Sequence, residues 1–357
     1  MSVRMSRLRR ARASWCPRRA NSRGQVPLMR SAWVLAAACA AAGAAGLAGC
    51  GSGHPAAAPT AHGSAKHGSA DHGAATAASP GTGDDAASVL AAPTRVVRTS
   101  AGDVGYREVG TGSPVLLIMG LGGSMDAWPP SFVDALAARH QVVVFDNSGV
   151  GRTASAGSPL TIPAMATQTS ALISALRLSR PAVLGWSLGG MVAQDLAVTH
   201  PAQVSRLILA ATQPGTGTAQ PIPPAAAAAA ASPNPIGVLS VLFPRGQAAA
   251  ARAYATGILQ YPGFYQASAA TKVSQGLALE RWMAGQVRAG RQTGTLRLPT
   301  LVADGTADAL NPVANDRLLA RGIPGATLLL YPGAGHAFLF QDAATFLPAA
   351  QKFLGPG

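Results

Sequence analysis

Cysteine is nearly absent from this chain: 357 residues contain three, Cys16, Cys39 and Cys50, and none follows. Anything folded downstream must therefore hold by packing, because no intramolecular disulfide is available to it even in an oxidising compartment. Acidic residues are missing from the front. None precedes Asp71, whereas nine arginines (Arg4, Arg7, Arg9, Arg10, Arg12, Arg18, Arg19, Arg23 and Arg30) precede Ser31. The formal charge of +14 thus sits largely at one end, and the remainder, nineteen basic against fourteen acidic residues, is too weakly and diffusely charged for a nucleic-acid footprint. With 48% hydrophobic and 12% charged residues, the composition is that of a globular protein with a sizeable core.

A long apolar run is lacking as well. The apolar run between Ser31 and Cys50 is mostly Ala and Gly and falls short of the ~20 residues a membrane span needs. Preceded by arginines and ended by small residues, it has the layout of an export signal. Its end, Leu47-Ala48-Gly49-Cys50, resembles the lipobox of bacterial lipoproteins. That resemblance implies that residues 1–50 are a signal, that Cys50 becomes the lipidated first residue, and that the chain is held on the outer face of the cytoplasmic membrane or in the periplasm. An uncleaved anchor is the other reading, and both readings export the domain. The arginine-rich stretch ahead of Met29 is long for such a signal, so Met1 and Met29 are both candidate starts.

Residues 51–92 contain almost no large apolar side chain and cannot bury enough surface to offset chain entropy, which predicts a disordered tether. His62, His67 and His72 recur there in a short repeat, which composition explains without a metal. From residue 94 the texture changes. Apolar, β-rich runs at 94–99 and 104–109 predict an opening hairpin, and those at 115–119, 142–145, 182–184, 207–210, 300–303 and 327–331 predict buried strands. Helical spacing at 132–139, 162–178, 188–199, 313–321 and 343–353 alternates with them, so a mostly parallel sheet with helices on both faces is expected. Residues 213–298 interrupt the alternation and predict an inserted, mainly helical cap, since so long a structureless loop is improbable in a compact domain.

The sharpest motif is Gly185-Trp186-Ser187-Leu188-Gly189-Gly190, after an apolar run and before a helical one. Gly-x-Ser-x-Gly in that setting is a nucleophile elbow, a tight strand-to-helix turn that lifts a serine hydroxyl above the sheet. Serine is a poor nucleophile unless a base takes its proton and an acid orients the base. The region after the tether has only His140, His200 and His336. The first two fall at expected helix ends, whereas His336 lies in Pro332-Gly333-Ala334-Gly335-His336, directly after the last expected strand. Asp308, in the turn after the seventh run, is the candidate acid; Asp304, closer to the strand end, is expected to serve the turn. No acid stands in Ala211-Thr212-Gln213-Pro214 after the sixth run, the other usual location. Backbone N–H groups of Leu188 and of Leu121, in Met119-Gly120-Leu121-Gly122-Gly123, are the candidate oxyanion hole.

Taken together, these segments resemble the α/β-hydrolase superfamily from about residue 94 to the end. Asp146-Asn147-Ser148-Gly149-Val150-Gly151-Arg152 resembles the family's loop after the fourth strand, and the Asp308 and His336 loops resemble its acid and base loops. Met119 departs from a histidine common in the family, and Ser148 from a common arginine. The resemblance implies an α/β-hydrolase domain over residues 93–357 and a two-step acyl transfer without metal or organic cofactor. A serine at the elbow argues against the dehalogenase and epoxide-hydrolase branches. The expected substrate is a small-molecule ester or other acyl compound, in an apolar pocket to which Met125, Trp128, Trp186 and Trp282 are assigned, with Tyr254, Tyr261 and Phe264 as further aromatics. Perhydrolase or carbon–carbon hydrolase chemistry with the same triad, and a non-catalytic binding lipoprotein, remain open alternatives.

Overall fold

The computed structural model describes residues 88–357. The expected export signal, Cys50 and the tether up to residue 87 lie outside the described residues. Eight strands form one sheet: β1 (Arg95–Thr99), β2 (Gly102–Val109), β3 (Pro114–Ile118), β4 (Gln141–Phe145), β5 (Ala182–Trp186), β6 (Leu207–Ala210), β7 (Thr300–Gly305) and β8 (Thr327–Tyr331), in the order β1-β2-β4-β3-β5-β6-β7-β8. The β1–β2 hairpin and the β2–β4 pair are antiparallel; every other pair is parallel.

The strand sequences explain a sheet covered on both faces. Side chains alternate along a strand, and here both sets are apolar. Val115 and Leu117 of β3 and Val142 and Val144 of β4 enter one core; Leu116, Ile118, Val143 and Phe145 enter the other. The first core receives Phe132, Val133 and Leu136 from α1 (Pro130–Ala137). The second receives Met165 and Leu172 from α2 (Ile162–Ala175), and Met191 and Leu196 from α3 (Leu188–Thr199). Between β6 and β7 lie the cap helices α4 (Pro224–Ala230), α5 (Pro235–Leu242), α6 (Ala248–Ile258) and α7 (Ala269–Met283). The chain then continues through α8 (Ala314–Gly322), α9 (Phe338–Gln341) and α10 (Ala343–Leu354), the last returning Phe346, Ala350 and Leu354 to the first core.

Residues 88–92 correct the expected tether. Val89 is fully buried in the first core, its N–H donates to Asp134 Oδ1 at 2.7 Å, and Ser88 Oγ donates to Asp134 Oδ2 at 2.7 Å. The low-complexity composition masked one large apolar residue that α1 is built to hold. Several strands also run further than their apolar stretches suggest, β2 starting at Gly102 and two others lengthening at their carboxyl ends. Parallel pairing extends β5 through Gly185 and Trp186, and β7 through Asp304 and Gly305, so Asp304 lies inside the sheet.

Candidate active site

The elbow forms where β5 meets α3. Ser187 has φ 57° and ψ −121°, a left-handed conformation for a residue with a side chain. Such a conformation costs roughly 1–3 kcal/mol and persists only when its surroundings over-determine it. Here the Ser187 N–H donates to Ala210 O at 2.9 Å, and Ser187 O accepts from Gly190 N–H at 2.9 Å and from Thr212 Oγ1 at 2.7 Å. Gly189 makes the turn sterically possible, because a Cβ there would run into the carbonyl oxygen of Ile118 on β3.

His336 follows β8, and its side chain is 95% buried. Nδ1 lies 2.6 Å from Asp308 Oδ2, and the second carboxylate oxygen of Asp308 accepts from the N–H groups of Leu310 at 2.6 Å and Asn311 at 2.8 Å. A carboxylate on Nδ1 selects the tautomer with its proton there, which leaves Nε2 as an acceptor. Trp186 fixes the same loop from below, its Nε1–H donating to His336 O at 3.0 Å. Ser187 and His336 line one cavity, although no hydrogen bond joins their side chains in this structure.

The loop after β3 closes the site. The Cβ of Ser187 lies 3.2 Å from where a Cβ on Gly120 would stand. Gly122 N–H is taken by Gln275 Oε1 at 2.8 Å, and Gly123 N–H by Gly120 O at 3.4 Å. The N–H groups of Leu121 and Leu188 have no acceptor among the described residues. Asp146 braces this region: Oδ1 accepts from Met125 N–H at 3.0 Å, and Oδ2 accepts from the hydroxyl of Tyr265, a cap residue.

The cavity has a volume of ≈ 390 Å³. Gly120, Leu121, Trp186, Ser187 and His336 form its floor, and the cap supplies Leu239, Leu242, Tyr254, Ile258 and Phe264. Of the four residues assigned to the pocket from sequence, Trp186 lines it. Met125, Trp128 and Trp282 do not, and this is a correction. Trp128 is fully buried and stacked on Phe132 at 5.6 Å; Trp282 is fully buried, donating from Nε1 to Gln213 O at 3.0 Å; Met125 is fully buried in the first core. Tyr261 also serves the core, its hydroxyl donating to Trp128 O at 2.9 Å. His140 is buried and His200 bonds Thr199 Oγ1 at 2.9 Å; neither lines the cavity.

Sequence reasoning missed a buried polar group behind Asp308. Asn311 Nδ2 faces Asp304 Oδ2 at 2.9 Å and both oxygens of Asp316 at 3.0 and 2.9 Å. Burial is the first cause that raises the pKa of both acids, Asp304 well above its ordinary value and Asp316 to about 8. Asp304 does serve the turn as expected, accepting from Gly305 N–H at 2.7 Å, but it also belongs to this pair. The Asp316 position in the first turn of α8 carries no signal in the one-dimensional pattern beyond an acid near a helix start.

A family model described as alpha/beta hydrolase fold matches residues 113–343. A Variovorax paradoxus protein provisionally named carbamate hydrolase RutD is 32% identical over 259 residues, spanning 68% of this chain and 92% of that one. The poly(3-hydroxyalkanoate) depolymerase of Ectopseudomonas oleovorans is 31% identical over 252 residues, covering 68% of this chain and 84% of its own length. Among solved structures, an alpha/beta hydrolase fold protein from Chitinophaga pinensis superposes with a TM-score of 0.67 at 24% identity, over 75% of this chain and 98% of that one.

Proposed function

From the premise that this chain belongs to the α/β-hydrolase family and is a hydrolase, we propose that it cleaves a carboxylic ester or related acyl bond through Ser187, His336 and Asp308. The observation that carries this reading is the left-handed Ser187 in the same cavity as a buried His336 tied at 2.6 Å to Asp308. As Ser187 Oγ bonds the substrate carbonyl carbon, its proton passes to His336 Nε2, and Asp308 stabilises the imidazolium while holding the ring. The carbonyl oxygen takes the negative charge and is met by the free N–H groups of Leu121 and Leu188. Collapse expels the alcohol, which takes the proton from Nε2. Water, deprotonated by the same nitrogen, then releases the acid and restores Ser187. The Ser187–His336 hydrogen bond forms as substrate fills the cavity, since such bonds tighten in the loaded site. The names of the depolymerase and carbamate hydrolase relatives both denote hydrolysis, in keeping with this chemistry.

The test is treatment of the full chain with a fluorophosphonate, read by intact mass. Labelling of the parent and not of Ser187→Ala is expected. A folded parent that resists the probe overturns the triad and favours the binding-lipoprotein alternative. We further propose that lipidation at Cys50 holds the domain outside the cytoplasmic membrane, residues 51–87 acting as the tether; the lipobox-like sequence supports this. In a bacterial host, a clickable fatty acid should enter the parent but not Cys50→Ser. Equal incorporation, or none in either, overturns it.

A further inference from the structure

The cavity is apolar apart from a few amides and hydroxyls, and no carboxylate lines it. Apart from His336 and the phenol of Tyr254, one ionisable side chain does: Lys272, in the first turn of α7. Several observations make this lysine anomalous. It is half-buried, and burial pushes its pKa below the ordinary lysine value. Its position near a helix N-terminus places a cation at the positive end of the helix dipole, and no acid stands in that first turn. Among the described residues no carboxylate lies within ion-pair distance of it; its Nζ donates to the neutral Gln266 Oε1 at 2.7 Å. Burial, dipole and lack of a partner all act against the charge, so an anion arriving there gains more than at an exposed lysine.

Its place relative to the reacting atoms is defined by the oxyanion loop. The Lys272 stem lies over Gly122, its Cε, Cγ and Cδ standing 3.0, 3.1 and 3.3 Å from where a Cβ on that glycine would be. Gly120, two residues earlier, abuts Ser187. The two glycine Cα atoms are at most about 7.6 Å apart, since each trans peptide spans about 3.8 Å. Gln266 also lines the cavity, beside the loop, through the bridge Gly123–Gln266 and the Ala267 N–H bond to Gly122 O at 3.0 Å. An ammonium and a side-chain amide therefore stand together on the wall of the cavity that Ser187 also lines.

We propose that Lys272, with Gln266, is a specificity site that recruits substrates bearing a carboxylate a few bonds from the scissile carbonyl, such as monoesters of short dicarboxylic acids. The assignment of a scissile carbonyl rests on the ester reading above; the carboxylate subsite itself is tested without it. Monoethyl adipate, an anion at pH 7, and diethyl adipate, its neutral counterpart, are titrated calorimetrically into the full chain carrying Ser187→Ala, which removes turnover. The monoester should bind more tightly than the diester. Adding Lys272→Met or Lys272→Gln should weaken the monoester about tenfold, equivalent to about 1.4 kcal/mol, and leave the diester within about twofold. Lys272→Arg should recover most of the difference, and raised salt should erode it in the parent background. Equal affinities for the two esters, equal losses on substitution, or no binding of either overturns the proposal. Because Ser187 is absent from this assay, its outcome is independent of fluorophosphonate labelling, which tests the ester reading.

Discussion

Replacing Asp316 with asparagine should flatten the dependence of stability on pH. Asp316 and Asp304 are both fully buried and both face the amide nitrogen of Asn311, and two carboxylates so placed hold a proton between them at neutral pH. In the unfolded chain each ionises near pH 4; in the folded domain burial raises Asp316 to about 8. Between those values the folded state binds more protons than the unfolded one. Stability therefore falls as pH rises through that window. A separation of about four pH units at about 1.4 kcal/mol each sets a ceiling on the order of 5 kcal/mol for Asp316. Asp316→Asn has no proton to lose and keeps an oxygen for Asn311, so it removes the Asp316 share of this slope and leaves the share of the buried Asp304. Urea unfolding of parent and variant between pH 5 and pH 8 reads the effect, with the variant gaining a few kcal/mol on the parent toward pH 8. Asp195, raised to about 6 by burial, tilts both proteins alike and cancels in the difference. Parallel stability curves for the two proteins would refute a proton held between Asp304 and Asp316.

Three further substitutions separate structural from chemical roles. Gly189→Ala drives a methyl into the Ile118 carbonyl and should cost about 3 kcal/mol or more with loss of activity, whereas Gly322→Ala, with nothing within 4 Å, should change the unfolding midpoint little or raise it. Asp308→Asn keeps an acceptor for the Leu310 and Asn311 amides but removes the charge facing His336, so esterase kcat should fall about 10³- to 10⁴-fold while the urea midpoint shifts little. Leu239→Trp narrows the cavity and should shorten the preferred acyl chain in an ester series, while Trp282→Ala should cost about 3–5 kcal/mol of stability and leave chain-length preference unchanged.

Legibility followed the physical constraint on each segment. The strands showed plainly because a sheet covered on both faces needs consecutive apolar residues, and α3 showed to the residue because the elbow forces a strand end, a turn and a helix start within a few positions. The candidate triad showed because its chemistry restricts residue type: only three histidines occur after the tether, and only His336 directly follows a strand. The tryptophans misled because an aromatic's identity does not say which way it faces. Trp128 and Trp186 stand within 6.2 Å of each other, yet only Trp186 reaches the cavity. The Asp304–Asn311–Asp316 group stayed hidden for a related reason, since an acid near a helix start reads as a solvated N-terminal charge, and only the fold of the Asp308 loop over β7 makes it a buried one.

The chemistry proposed at Ser187 depends on backbone geometry that the sheet imposes, so its residues are few and recognisable. The cap closes the cavity with short Ala-, Gly- and Pro-rich helices whose apolar pattern is satisfied by many side chains. Within it a leucine contributes volume, and its identity carries little information about the ligand. A half-buried cation differs, because it is costly without a partner and so implies the sign of the charge it meets. That makes Lys272 the cap position whose chemistry most restricts the substrate, and the monoester–diester comparison the measurement that links this cavity to a ligand class.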